Sequence, residues 1–250
     1  MIEQMTIHKT DRAFPVRLLQ LDGFDYVIDE GVFEKDDSRP LKCPEDLQIV
    51  GSDAALLNAT RTISVVGTRS PFYKAFEIAQ MVARLAVSEG ILVVSGFATG
   101  IDAAAHYGAM DAKGKTVAVL GSGVNVRQPT KPALERFILD NGLFVSELCD
   151  PEAPREYKHL MARDRITAGL ADVIFVIETD PVGGAVHTAK IAHSLGKPVY
   201  AINWSSSPKY RGKSQTGNKL LIDEGVSAGI PLDGSDNDVE ASIRSCFPQI

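Results

Sequence analysis

The chain has only three cysteines in 250 residues, Cys43, Cys149 and Cys246, and no C-x-x-C pair among them. Their odd number and wide spacing suit a reducing compartment and argue against a disulfide framework, so the cytoplasm is the expected location. No stretch approaches the roughly 20 apolar residues of a membrane span, and residues 1–10 lack the apolar core of an export signal, so no membrane association is expected. Positive charge is not in excess either. With 26 Lys and Arg against 32 Asp and Glu, the formal charge is −6, which excludes a wholly basic coat and still permits a local basic patch. His187 and His193 lack zinc-ligand spacing and a cysteine or acidic partner in motif, so no metal site is expected. A dinucleotide fingerprint is missing as well, because Gly121-Ser122-Gly123 lacks a third glycine and a suitably placed acid, and no cofactor is expected.

What the chain does have is a composition for one main globular core, 44% hydrophobic and 23% charged. From about residue 63 to 202, short β-branched runs alternate with longer amphipathic segments, the mark of βαβ units and a parallel sheet. Strands are expected at 63–66, 91–94, 116–120, 143–145, 173–177 and 199–202, and helices at 73–88, 101–113, 133–141, 160–170 and 185–195. Ile78, Met81, Val82 and Leu85 give the first helix one apolar face, and Gly90, Gly114, Gly142 and Gly196 fall where helix ends favour a left-handed residue. Residues 1–58, punctuated by Pro15, Pro40 and Pro44, read as an N-terminal extension packed on the core, with short strands at 26–28 and 47–50. The main domain is expected over 59–230, and an acidic tail over 231–250. Within the domain, residues 203–219 carry Lys209, Arg211, Lys213 and Lys219 without an acid, a candidate anion-contacting loop that reads equally as a solvated one.

Four expected strand ends run into small-residue turns: Gly67-Thr68-Arg69, Ser95-Gly96-Phe97-Ala98-Thr99-Gly100, Gly121-Ser122-Gly123 and Asp180-Pro181-Val182-Gly183-Gly184. In a parallel sheet such turns gather on one edge, where bare amides and helix N-termini hold phosphate without metal. Arg69 is placed to fork onto a phosphate held there. Arg163 and Arg165 stand two apart on an expected helix and face different ways, so at most one reaches the pocket. Phe72, Tyr73, Phe97, Trp204 and Tyr210 border these turns or the basic loop; most are expected in the core, a minority as stacking platforms for bases.

Two motifs mimic catalytic ones. Residues 109–116 fit a relaxed P-loop pattern, but they end a helix and feed a strand, the reverse of the geometry that aims amides at phosphate. Lys113 and Lys115 then complement that helix's C-terminal dipole. Ser95, Asp102 and His106 imitate a hydrolytic triad, yet Val94-Ser95-Gly96 is no nucleophile elbow, an acid at a helix start usually caps it, and His106 reads as a packed helix residue.

These residues, in this order, resemble the DNA-processing protein A family, also called Smf. The linked motifs are Val65 to Arg69, Val94 to Asp102 with His106, Val119 to Gly123, Ser146-Glu147, Arg163 to Leu170, Thr188-Ala189 and Gly217-Asn218. The resemblance implies an extended Rossmann-like, doubly wound, mostly parallel α/β sheet with helices on both faces. It also implies a dimer that grips single-stranded DNA in a glycine-lined basic pocket and delivers it to a RecA-type recombinase during transformation, with no catalysis. On it, Gly67, Thr68, Arg69, Ser95, Gly96, Gly100, Gly121, Ser122, Gly123, Arg163, Arg165, Gly183, Gly184, Thr188 and Asn218 become the expected DNA contacts. The chain departs from the family at Thr99, usually arginine, at Asp164, usually asparagine, at Gly183-Gly184, usually serine-glycine, and at His159 to Ala162, usually an aromatic-proline pair. Both charge changes should weaken phosphate attraction. Its length implies a trimmed or divergent member without the flanking helical and winged-helix modules that many relatives carry. Two alternatives of the same superfamily stay open, a nucleotide-signal sensor and a nucleoside monophosphate phosphoribohydrolase. The latter resembles the chain at Gly183-Gly184 and Thr188, but Ala189-Lys190-Ile191 stands where its catalytic glutamate would follow.

Overall fold

The β-branched runs assemble into one nine-stranded sheet because their residues alternate between two buried faces. In the computed structural model, which describes residues 3–23, 42–126, 131–210 and 215–249, the strands are β1 (Glu3–His8), β2 (Asp46–Gly51), β3 (Thr62–Val66), β4 (Leu92–Gly96), β5 (Thr116–Val119), β6 (Gly142–Ser146), β7 (Val173–Val176), β8 (Val199–Asn203) and β9 (Ala228–Pro231). Their order is β1-β2-β6-β5-β4-β3-β7-β8-β9, parallel from β6 to β9 and antiparallel at the β1 and β2 edge. The helices are α1 (Tyr73–Ser88), α2 (Ile101–Asp111), α3 (Pro132–Asn141), α4 (Tyr157–Leu170), α5 (Gly184–Ser194), α6 (Thr216–Asp223) and α7 (Asp236–Ser245).

One-residue alternation sets the layers. Ile63, Val65, Val173 and Phe175 face α1, α2 and α7, whereas Val66, Ile174 and Val176 face α5 and α6. A third cluster, with Leu47, Ile49, Val117, Val119 and Ile166, seats the antiparallel edge. The fold is thus a Rossmann-like α/β sheet covered on both faces, as the alternation implies.

Three local expectations need correction. Gly90 and Gly196 are left-handed at φ +71, but after α2 the left-handed residue is Lys113 at φ +55, and Gly142 is extended because it opens β6. Lys115 pairs with Asp53 at 3.7 Å, so it does not simply serve the helix dipole. Residues 231–250 are more than a charged tail: a Ser235 and Asp238 capping box starts α7, which sends Val239, Ile243 and Phe247 into the core. The strand expected at 47–50 is β2; the one expected at 26–28 lies outside the described residues. Composition gave no sign of β1, whose exposed Met5 and alternating polar residues fit an edge strand.

From β3 the chain winds through β4, β5 and β6 to one side, then returns to β7 on the other flank of β3. Such a reversal opens a crevice outside the carboxyl ends of the two diverging strands.

Candidate functional site

The crevice at the β3 and β7 reversal holds a cavity of about 350 Å³. Gly67, Thr68 and Arg69 line it from β3, Thr179, Asp180, Val182, Gly183 and Gly184 from β7 and the start of α5, and Tyr157, Leu160, Arg163, Asp164 and Thr167 from α4. Asp102 and Thr188 complete the wall from α2 and α5.

Each turn is held from behind. Glu178, fully buried after β7, accepts from Phe72 N through Oε2 at 3.1 Å, and its carbonyl accepts from Thr68 N at 2.7 Å. This ties the Gly67 to Phe72 turn to the neighbouring strand and turns Arg69 outward. Arg69 is exposed and forms no ion pair among the described residues. Gly100 sits at φ +80 with its Cα over the Thr68 carbonyl, a conformation and a closeness that only glycine takes without strain. Across the crevice, α5 starts at Gly183 with no side-chain cap, so the first amides of an eleven-residue helix face the cavity with its partial positive charge. Open space surrounds Gly183.

The floor carries a different charge. Arg163 lies between two buried carboxylates, with Nη1 at 3.9 Å from Asp102 Oδ2 and Nε at 3.5 Å from Asp164 Oδ1. His187 Nδ1 stands 3.3 Å from Asp164 Oδ2. Burial pushes the Asp102 carboxyl above the usual carboxylate range, and Arg163 and the Ala98 amide pull it back only in part. With Asp180 at the rim, three carboxylates face Arg69 and Arg163. An anionic ligand is therefore best held at the rim by amides and Arg69, away from the floor.

Eleven of the fifteen expected contacts gather here or against this wall: Gly67, Thr68, Arg69, Arg163, Gly183, Gly184 and Thr188 line the cavity, Gly96 lies under Arg163, Gly100 backs the Thr68 turn, and Gly121 and Ser122 line a minor recess beside Arg69. The others serve the fold. Ser95 is buried and donates to Val65 O at 2.6 Å. Asn218 donates to the carbonyls of Val176, Ile177 and Ile202 and accepts from Thr179 N, which clamps β7 to β8. Arg165 forks onto Glu147 at 2.7 and 2.6 Å and donates to Lys42 O. So one arginine of the pair reaches the pocket and the other holds the fold, as their spacing requires. The third turn is largely covered, with Gly121 packed against Leu160 at the edge of the recess and Gly123 closed off by Pro151 O.

Asp102 does not cap α2. Its Oδ2 accepts from Ala98 N at 3.4 Å, before the helix. His106 accepts and donates within the core, to Thr116 Oγ1 at 2.7 Å and Gly96 O at 2.6 Å, and burial lowers its pKa to about 4. Lys131, unnoticed in the sequence, donates to the Phe97 and Ala98 carbonyls at 2.9 and 2.7 Å, and burial takes its pKa down to about 8. Trp204 and Phe72 stack edge to face in the core, and Phe97 packs on Phe144. Among the described residues the exposed rings are Tyr73 and Tyr157, and Tyr157, on the crevice wall, had no motif to reveal it. Arg155, exposed beside Arg69 and Arg163, was hidden for the same reason. In the basic loop, Lys219 pairs with Asp223, Lys209 lies over the Tyr210 ring, and Arg211 and Lys213 fall outside the described residues. Among the described residues, no group of three or more His, Cys, Asp or Glu could hold a metal ion, and no helix is long and apolar enough to cross a membrane.

The chain is similar to known proteins over most of its length. Residues 38–236 match the model of the DNA recombination-mediator protein A family. Protein Smf of Synechocystis sp. is 36% identical over 141 residues, 56% of this chain and 35% of that one. The curated relatives are longer, and their matches cover 35% to 61% of their length. Among solved structures, DNA processing protein A from Streptococcus pneumoniae superposes with a TM-score of 0.77 at 25% identity, covering 99% of this chain and 76% of that one. DNA processing protein A from Helicobacter pylori, described for its single-stranded DNA binding mode, matches in fold at a TM-score of 0.70 and 22% identity, over 98% and 97% of the two chains.

Proposed function

Since the chain belongs to the DNA recombination-mediator protein A family, we propose that it binds single-stranded DNA along the β3 and β7 crevice. Backbone phosphates sit at the rim, on Arg69 and on the uncapped start of α5, where charge-assisted hydrogen bonds and the helix dipole act together. Gly67, Thr68, Gly183, Gly184 and Thr188 shape this seat. Tyr157 offers a ring to a base that leaves the backbone track. The observation that carries the reading is the meeting of an exposed arginine, without an ion pair among the described residues, and an uncapped helix N-terminus at the sheet's reversal point.

Anisotropy of a labelled oligonucleotide against salt tests it, because each phosphate contact adds roughly 0.7 to the log-log slope. Absence of binding at low salt overturns it. Binding without catalysis, assembly as a homodimer, work in the cytoplasm and delivery of the strand to a RecA-type recombinase belong to the same proposal. They are supported by the family resemblance, and sedimentation and a recombinase pull-down test them.

A small-nucleotide reading is favoured by one observation, the two buried carboxylates Asp102 and Asp164 in a cavity of about 350 Å³. A sensor of this kind binds a mononucleotide tightly and an oligonucleotide not at all. A phosphoribohydrolase releases free base and ribose phosphate from a nucleoside monophosphate.

A further inference from the structure

Resting on the crevice as the DNA site, we propose that its floor reads a guanine base, with Asp102 accepting from the ring N1–H and the exocyclic amino group. The rim and the floor of the cavity have opposite chemistry. Arg69 and the α5 amides attract phosphate, whereas Asp102 and Asp164 repel it. The part of a nucleotide that enters the floor must therefore be neutral and rich in donors.

Asp102 is nine-tenths buried; the hydrogen bond from Ala98 N takes one lone pair of Oδ2, and Arg163, at 3.9 Å from Oδ2, is beyond hydrogen-bond distance, which leaves Oδ1 and the second lone pair of Oδ2 for two neighbouring donors. A second observation is independent of the acids. Thr167 lines the same cavity and is almost wholly buried, yet its Oγ1 has no hydrogen-bond partner among the described residues. Buried polar groups of this kind cost free energy unless something satisfies them. A hydroxyl donor suits the O6 acceptor of guanine.

Guanine is the base that sets two donors side by side for one carboxylate. Adenine and cytosine flank a single amino group with a ring acceptor that a carboxylate repels, and thymine offers one N–H between two carbonyls. The cavity, at about 350 Å³, lies at the small end of the roughly 300–1,000 Å³ range of ligand pockets and suits one base with its sugar.

Anisotropy with three short strands tests this without altering the protein: all-thymidine, the same strand with one internal deoxyguanosine, and the same with deoxyinosine at that place. The guanine strand should bind about tenfold more tightly than the thymidine strand, the scale of one bidentate base contact. Deoxyinosine, which lacks the amino group, should lose most of that gain, and Asp102→Asn should abolish the preference. Equal affinity for the three strands overturns the base reading and leaves DNA binding standing. If no strand binds, DNA binding falls, and calorimetry with 5′-guanylate and 5′-inosinate decides the base reading: tighter guanylate upholds it, equal or absent binding overturns it.

Discussion

The Arg163 guanidinium packs directly against Gly96: a Cβ added at that glycine would stand 1.8 Å from Arg163 Nη1 and 2.3 Å from Asp102 Oδ2. The glycine is there for a close approach, and its φ is ordinary. Gly96→Ala should push the guanidinium off the floor and cost roughly 1–3 kcal/mol of stability through overpacking. Oligonucleotide affinity should fall as well. A thermal melt and an anisotropy titration check this, and a variant with wild-type values in both would show that Arg163 moves aside freely.

Arg69→Ala should weaken DNA binding about tenfold or more whatever the sequence, the scale of one charge-assisted hydrogen bond, and lower the salt slope by roughly 0.7. Its exposure and its lack of an ion pair among the described residues mean that stability should barely change. Unchanged affinity would remove Arg69 from the site.

Asp164 faces the start of α5, its Oδ2 3.0 Å from where a Cβ on Gly184 would stand. The carboxylate thus works against any phosphate at that helix end. Asp164→Asn keeps an acceptor for His187 and removes the charge, so affinity for single strands should rise several-fold at low salt, with the gain shrinking as salt screens it. A loss of affinity would mean that Asp164 serves the ligand directly.

His106 is buried and neutral, with its pKa lowered from 6.5 to about 4 chiefly by desolvation. Between those values the unfolded chain binds the proton and the folded chain does not. Stability should therefore fall as pH drops through this window, by about 3 kcal/mol in full, and be unaffected by His106 above it. Denaturant titrations from pH 7 to pH 4 on the wild type and His106→Gln measure this. The variant should show a flatter dependence, and equal slopes would refute the assignment.

Much of the fold was legible because its signals are local. The β-branched runs and the period of Ile78, Val82 and Leu85 each need only a few neighbours in sequence to declare themselves. The edge strand β1 was illegible because its half-exposed residues carry no apolar pattern. The start of α7, after Gly234, was misread because its acids, Asp236 and Asp238, suit the first turn of a helix as readily as they solvate a tail. At the site, Gly67, Arg69 and Gly183 could be read from the turn chemistry. Asp102, Tyr157, Thr167 and Arg155 could not, because each belongs to a helix or loop whose sequence gives no reason to meet the others.

By itself, the sequence determined an α/β sheet, the small-residue turns at its strand ends and the family to which these belong, since backbone preference and hydrophobic period act over a few residues. Only the tertiary structure decided which turns share a crevice, that Leu160 and Pro151 cover Gly121 and Gly123, that Arg165 is held by Glu147 while Arg163 enters the cavity, and that two carboxylates lie beneath the proposed phosphate seat. Those outcomes depend on contacts between residues far apart in the chain, where burial and charge pairing select among positions that local chemistry leaves equal.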